Sequence, residues 1–500
     1  FGDFSSARAH KEGVMAARSF SVCVVPEEEQ RSQSALLTES SFVSLRRQSL
    51  RDLPVEQSPR LEGGKTPTRS VFMNLITTMV GAGVLSFPRK FGDAGWLMGS
   101  LLLVCCGAAS AEVGNAMVQA LDMSQDRIRA GASFSFGRPE KYEDVVEVAF
   151  GKVGKMVASA CLNGFMLCMC GAFMILIGMS MEYMTNIWLP YRAWVAVSAL
   201  LFVPLCLLKD MALISRLSAV GVIASAIYVL SILEAGMQAR LTASTEARDL
   251  RLWPKHSKED PIVPILTNFC TTCSVFLLGF AYHIVVPTVR AEMEAPNQMP
   301  LAINRAVLLV ASVYFSVGLV GYYGWGNDVA GNVLDSMVNP DGTKMLAGRA
   351  LALAVMANLF VTYPIIMSCV SLAAESYCGG KYNATLRIIL LAITAAIAMF
   401  CPSFLAILTL QASTVCTMSM TLIPLGVFWK LALSSGKKPS RVTAAKHLLI
   451  VIIALMAVAV GTWQSIEEMV EAFGNPCMNP FSHFMQPMMS CKQGTNWCTC

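Results

Sequence analysis

The chain has 500 residues, of which 55% are hydrophobic and only 14% are charged, with a mean hydropathy of +0.55 and a net charge of +5. A soluble domain usually carries about 25% charged residues, so this chain has too little polar surface for a water-soluble globule. The composition excludes a disordered or collagen-like protein and predicts an all-α integral membrane protein with several spans. Continuous rather than alternating apolar runs argue against a β-barrel. The basic residues form no aromatic-interleaved patch, so we expect no nucleic acid partner.

The chain divides into three regions by composition. Residues 1–67 are rich in Ser, Gln, Lys and Arg and predict a disordered cytosolic tail, on which a regulatory partner could dock. Residues 68–465 form the predicted transmembrane domain, and residues 466–500 a polar tail that contains four cysteines. Eleven apolar stretches are long enough to cross a bilayer, at about 69–90, 95–121, 155–183, 192–208, 211–236, 262–289, 301–326, 345–375, 385–401, 403–430 and 444–464.

The basic residues predict the orientation of these spans. With the N-terminus in the cytosol, the inner segments hold most of the 38 Lys and Arg residues, as the positive-inside rule requires. An odd number of spans then puts the C-terminus on the extracellular or lumenal side. The loop 237–261 carries five basic residues on the outer side, but long loops count less in this rule. Plasma membrane and vacuolar or lysosomal membrane both stay open.

Two spans carry residues that interrupt a helix. The first contains Gly81 and Gly83, followed by Pro88, and the sixth contains Gly279, followed by Pro287. Gly costs about 1 kcal/mol and Pro about 3 kcal/mol relative to Ala inside a helix. Interruptions in the first and sixth of ten core helices are typical of a five-plus-five inverted repeat. The alternative is that these small residues only allow close helix packing.

An interrupted membrane helix has chemical consequences. The freed backbone groups cannot remain unpaired in lipid, so they must face protein, water or a ligand. The new helix N-terminus carries about half a positive charge, and its N–H groups bind a carboxylate. Freed carbonyl oxygens can hold a cation or an ammonium group. A zwitterionic amino acid fits both demands.

Several motifs resemble those of the amino acid/auxin permease family. Asn74–Pro88 resembles the first helix of that family, Gly279–His283 with Pro287 its sixth, and Val361–Pro364 its eighth. The resemblance extends over about residues 65–465 and is strongest toward the sodium-coupled neutral and the vacuolar amino acid transporters. It implies eleven helices with a LeuT-like core and amino acid transport coupled to sodium or protons.

The resemblance also implies which residues bind the substrate and the coupling ion. The substrate carboxylate would be bound in the first interruption by Gly81, Ala82, Gly83 and Val84. The opposite side of the pocket would be lined by Phe280, Ala281 and Tyr282. The cation would be held by Thr77 and Val80, through their carbonyl groups, and by the hydroxyl of Thr362. The sodium-coupled branch usually has Asn at the position of Thr77, so either sodium or the proton remains open as the coupling ion.

Two further polar residues in the spans are candidates for proton coupling. His283 lies beside the second interruption, and an imidazole there could relay a proton or simply bond a freed carbonyl. Glu112 lies inside the second span, where a charge is costly, so it must face the bundle, stay protonated or be paired.

The sequence therefore predicts a secondary active transporter of amino acids, with neutral substrates favoured because no pocket carboxylate is evident. Because transport makes and breaks no bond, we expect neither an enzymatic reaction nor a cofactor. The sequence carries no nucleotide-binding glycine loop, so ATP hydrolysis is not expected either. The alternative is an amino-acid-sensing receptor that signals through the N-terminal tail. The only other ligands we expect are the coupling ion and the lipid bilayer.

Overall fold

In a computed structural model, the described residues lie in 66–474, apart from gaps at 132–133, 135, 137–138, 186–188, 209–217, 243–249, 255–261, 340 and 402. This described part is helical, and its only β-bridges are two isolated ones, Thr66 with Met293 and Val338 with Lys344. Residues 1–65 of the predicted N-terminal tail and the four C-terminal cysteines lie outside the described residues.

The helices follow the order that the apolar stretches predict, and we number them as spans 1 to 11. Span 1 consists of Thr68–Met79 and Phe87–Ala94, joined by the 3₁₀ helix Ala82–Ser86, and span 6 of Ile262–Gly279 and Val286–Glu292, joined by the 3₁₀ helix His283–Val285. The others are span 2 (Trp96–Arg129), span 3 (Tyr142–Met184), span 4 (Tyr191–Cys206), span 5 (Ser218–Thr242), span 7 (Met299–Trp325), span 8 (Leu346–Tyr377), span 9 (Ala384–Phe400), span 10 (Phe404–Ser434) and span 11 (Arg441–Gly474).

Length and hydropathy support this count. Eight described helices are long and apolar enough to cross a membrane, and the bent pair of span 1 passes the same test as a ninth. Spans 4 and 9 are shorter apolar helices at the predicted positions. The all-α architecture with interrupted spans 1 and 6 is therefore confirmed.

Several helices extend beyond the apolar stretches predicted for them, most of all those of spans 3 and 11. Span 3 begins at Tyr142 rather than near residue 155, with a kink at Gly151, where φ is 71°. Lys155 forms ion pairs with Asp144 (3.1 Å) and Glu147 (2.8 Å). These pairs neutralise the charges that made the segment look like a loop. Span 11 continues to Gly474 rather than ending near residue 464.

The spans differ in how deeply they are enclosed by protein. In the most apolar window of span 6, 89% of the residues are buried, against 22% in span 11. Span 6 therefore lies at the centre of the bundle and span 11 at its periphery. The second half of span 1 packs against spans 2, 6 and 7, which brings the two interruptions into the core.

Candidate functional site

The interruption in span 1 is an open break in the backbone. The first half ends at Met79, Gly81 is extended (φ −125°, ψ −170°), and a 3₁₀ turn then leads to the second half. The two halves are bent by 45°. Pro88 lies in the first turn of the second half, where its missing N–H costs nothing.

The two glycines of this break face open space. A Cβ atom placed on Gly81 or on Gly83 would meet no neighbouring heavy atom within 4 Å. Both glycines are partly exposed, whereas Ala82 and Val84 between and after them are buried. The glycines are therefore not required for helix packing here, and their backbone is accessible to a small molecule.

The interruption in span 6 is packed instead. A Cβ atom on Gly279 would lie 2.6 Å from Cζ of Phe87 and 3.0 Å from Cε2 of Tyr314. Next to it, Phe280 and Tyr282 are fully buried. The two halves of span 6 are not bent beyond 40° and together pass as a single span.

Span 2 holds the span 6 interruption through one residue, Ser110. Its hydroxyl donates to the carbonyl of Phe280 (3.3 Å), and its own carbonyl accepts from the hydroxyl of Tyr282 (3.0 Å). The Phe280 ring also lies against span 2, since Cζ is 3.4 Å from the position of a Cβ atom on Gly107. Both aromatic side chains thus point to span 2, and Ala281 alone of the three residues predicted to line the pocket is partly exposed.

A polar cluster joins spans 1, 5 and 8. The hydroxyl of Ser225 lies within hydrogen-bond distance of the carbonyls of Val80 (3.3 Å) and Gly221 (2.9 Å). On span 8, Thr362 donates to Oδ1 of Asn358 (3.2 Å), and this oxygen lies 2.9 Å from the position of a Cβ atom on Gly221. Hydroxyl, amide and carbonyl oxygens are the ligands that hard cations prefer.

Sequence reasoning found only part of this cluster. It included Val80 and Thr362 but missed Ser225 and Asn358. Asn358 could have been found, because it lies one helical turn before Thr362 on the same face. The hydroxyl of the predicted Thr77 bonds the carbonyls of Met73 and Asn74 in its own helix.

The two candidates for proton coupling have different partners. His283 is 2% exposed, and its Nε2 lies 3.0 Å from the carbonyl oxygen of Ser110. Glu112 is paired with Lys446 of span 11 (2.7 Å) and lies 3.5 Å from Nε2 of His447. This cluster lines a cleft of about 650 Å³ between span 2 and the span 10–11 connection. His283 therefore contacts span 2, whereas Glu112 belongs to span 2 and faces span 11.

A tyrosine that sequence reasoning missed reaches both interruptions. The hydroxyl of Tyr314, on span 7, lies 2.6 Å from the carbonyl oxygen of Met79 and 3.0 Å from that of Gly279. Span 7 contains three tyrosines, and nothing in the sequence distinguishes Tyr314 from a packing residue.

An eleven-span helical bundle with two interrupted central helices is typical of membrane transporters. The comparisons with known proteins agree. The family model described as "Transmembrane amino acid transporter protein" matches residues 64–467. The chain belongs to this amino acid transporter family, as the resemblance of its motifs predicted.

The relatives are distant but cover most of the chain. Amino acid transporter AVT1B of Arabidopsis thaliana is 23% identical over 80% of this chain and 70% of its own length. Amino acid transporter AVT3C of the same plant is 24% identical over 83% and 94%. The putative sodium-coupled neutral amino acid transporter 10 of Xenopus laevis is 26% identical over 57% of this chain and 26% of its own length.

Solved structures give weaker matches. MhsT in complex with L-phenylalanine covers 81% of this chain and 100% of its own, with a TM-score of 0.49 and 12% identity. A manganese transporter mutant of Eremococcus coleocola covers 84% and 99%, with a TM-score of 0.43 and 12% identity. The three relatives described above are named as amino acid transporters. This agrees with a protein that is not an enzyme and gives no support to the sensing receptor.

Proposed function

We propose that the protein is a secondary active transporter of neutral amino acids and that the substrate binds at the span 1 interruption. The observation that carries this proposal is the open space beside Gly81 and Gly83, at the start of a new helix. A carboxylate there would accept hydrogen bonds from backbone N–H groups and gain from the helix dipole. The absence of side chains on the glycines lets it approach the backbone.

The absence of charged residues from the two interruptions favours a substrate with a neutral side chain. Residues 79–87 and 279–286 contain no Asp, Glu, Lys or Arg. A cationic or anionic side chain would therefore have no opposite charge beside it in these segments, and burying it unpaired would be costly. The α-ammonium group can bond freed carbonyls. Neutral and charged amino acids both carry this group, so it does not distinguish between them.

We further propose that the coupling ion is bound beside the substrate. The oxygens around Ser225, Val80, Asn358 and Thr362 suit sodium. Proton coupling through His283 or Glu112 is the competing assignment. The two assignments make different predictions, because only sodium coupling requires the oxygens of Ser225, Val80, Asn358 and Thr362.

The test is uptake into proteoliposomes that contain the full chain. A panel of labelled amino acids is offered under separate sodium and pH gradients. We expect neutral amino acids to accumulate and a sodium gradient to drive them. Uptake driven only by a pH gradient would assign the proton instead, and no uptake of any amino acid would contradict the proposed function.

Variants separate the two coupling assignments. Ser225→Ala and Thr362→Val remove one hydroxyl each from the cluster and should raise the sodium concentration needed for half-maximal uptake. Ser316→Ala is the matched control, because its exposed hydroxyl bonds only Ser312 of its own helix (2.9 Å). Unchanged sodium dependence in both cluster variants would contradict the sodium site.

We also propose an orientation of the chain in the membrane. The distribution of Lys and Arg supports a cytosolic N-terminus and a C-terminus on the extracellular or lumenal side. The loop between spans 7 and 8 would then lie on the outer side. Labelling of a tag at each end, with and without permeabilisation, tests this topology.

A further inference from the structure

Tyr314 lies where the two interruptions meet. It is 1% exposed in the middle of span 7, and its hydroxyl oxygen is within 3.0 Å of two carbonyl oxygens. Met79 is the last residue of the first half of span 1, and Gly279 holds the same place in span 6. One side chain therefore contacts the equivalent point of both interrupted helices.

These carbonyls need an external partner. The last carbonyls of a helix receive no hydrogen bond from within the helix. The bilayer core contains no water that could donate one instead. A tyrosine has only one O–H to donate. Any movement of one interruption therefore changes how well this hydrogen is shared with the other.

The ring holds the hydroxyl in this position. It packs edge-on against Phe87 (4.6 Å between ring centroids) and tilted against Phe280 (5.5 Å). Phe87 is the first residue of the second half of span 1, and Phe280 follows the first half of span 6. Ring and hydroxyl thus both contact residues of both interruptions.

We propose that Tyr314 is a positioning residue that couples the two interruptions by sharing its hydroxyl between the carbonyls of Met79 and Gly279. It fixes the relative position of the span 1 backbone, and its effect on transport rests on the proposed function of that backbone. Losing one buried hydrogen-bond partner corresponds to roughly a tenfold change in an equilibrium constant.

The test compares Tyr314→Phe with Tyr322→Phe in the full chain. Both tyrosines belong to span 7 and are 1% exposed, but the hydroxyl of Tyr322 donates to Oδ1 of Asn327 (2.9 Å) and accepts from the amide of Arg251 (2.9 Å). Hydrogen–deuterium exchange is followed in peptides that cover residues 76–87 and 276–287. Uptake of labelled alanine, glutamine and leucine gives KM and maximal rate.

We expect Tyr314→Phe to increase exchange at both interruptions together, and to raise KM about tenfold, with little change in the amount of inserted protein. Tyr322→Phe should leave both peptides unchanged. Increased exchange at one interruption only, or at neither, would overturn the coupling. Because exchange needs no substrate, this result holds even if no amino acid is transported, which separates failure of the coupling from failure of the proposed function.

A second variant covers the case in which Tyr314→Phe does not fold. Phe87→Leu keeps the hydroxyl but removes the ring that supports it. We expect a smaller increase of exchange at both peptides. An increase confined to residues 76–87 would show that Phe87 acts on span 1 alone and would contradict the coupling.

Discussion

The two interruptions are alike in sequence and different in structure. In span 1 the backbone bends by 45° and the glycines face open space. In span 6 the two halves are bent by no more than 40°. Gly279 is closed off by Phe87 and Tyr314, and the side chains of Phe280 and Tyr282 point to span 2.

This difference assigns different roles to similar residues. A glycine can serve ligand access or close packing, and the sequence left both open. We propose that Gly81 and Gly83 serve ligand access, because no neighbouring heavy atom lies within 4 Å of the position of a Cβ atom on either of them. Gly279 serves packing, because a single added carbon would collide with two rings. We therefore propose that the substrate site is built mainly from span 1 and that span 6 supports it.

The largest expected effect follows from filling the open space. Gly81→Trp should reduce uptake to the level of empty liposomes while the protein still inserts and elutes as a monodisperse peak. Gly81→Ala is the matched control, since its Cβ meets nothing within 4 Å and its φ of −125° suits any residue. Substantial uptake by the tryptophan variant would contradict the site.

At the packed interruption the same kind of change should act on stability. Gly279→Ala forces Phe87 or Tyr314 to move, and overpacking of this kind costs about 1–3 kcal/mol. We expect a lower melting temperature of the purified protein, which Gly81→Ala should not produce. Adding Phe87→Leu should restore part of the loss. Equal melting temperatures for both alanine variants would remove the distinction between the interruptions.

The loop between spans 7 and 8 adds a pH dependence beside the span 1 interruption. The short helix Val333–Ser336 contacts Ala82–Ser86, and Tyr183 of span 3 donates to the carbonyl of Met337. Burial and the nearby charge of Glu182 raise the pKa of Asp335 to about 7. The carboxyl of Asp335 therefore holds its proton more tightly while the loop is docked on span 1 than it would if the loop were released into water.

The sign follows from linkage. A carboxyl whose pKa is raised on docking stabilises the released state as pH rises, so docking should weaken by up to about tenfold per pH unit between about pH 4 and pH 7. Hydrogen exchange of residues 329–345, corrected for the intrinsic effect of pH, measures this. Asp335→Asn should abolish the dependence. Asp341→Asn should keep it, because Asp341 is exposed on the same loop and hydrogen bonds from Thr343 lower its pKa.

The smallest effect is expected at Tyr282. Tyr282→Phe removes one hydrogen bond to Ser110, worth about 1 kcal/mol of stability. KM should stay within about twofold of the wild-type value, because the hydroxyl points to span 2 and not to the open space. Tyr323→Phe, whose side chain is 39% exposed, is the control. A much larger rise in KM for Tyr282→Phe alone would bring this residue back into the substrate site.

The interruptions were predictable because their signal is local. Gly81 and Gly279 weaken a helix, and Pro88 and Pro287 occupy first-turn positions of the second halves, so both breaks can be located from the sequence alone. The apolar lengths likewise predicted the number of spans.

What distinguishes the two interruptions is not local. The ring that closes Gly279 belongs to Phe87, almost two hundred residues earlier, and the hydroxyl shared by both breaks belongs to span 7. Spans such as 3 and 5 are apolar on all sides, so their sequences do not reveal which face turns toward a neighbour. For the same reason Ser225 could not be chosen from the other serines of the chain.

The most direct measurement is an experimental map of the protein with a transported amino acid bound. We predict solute density within about 3 Å of the backbone amides of Gly81, Ala82 or Gly83, with span 6 packed against span 2 as described. Density in the cleft beside Glu112 instead, or a first span that runs as one continuous helix without solute, would contradict the assignment.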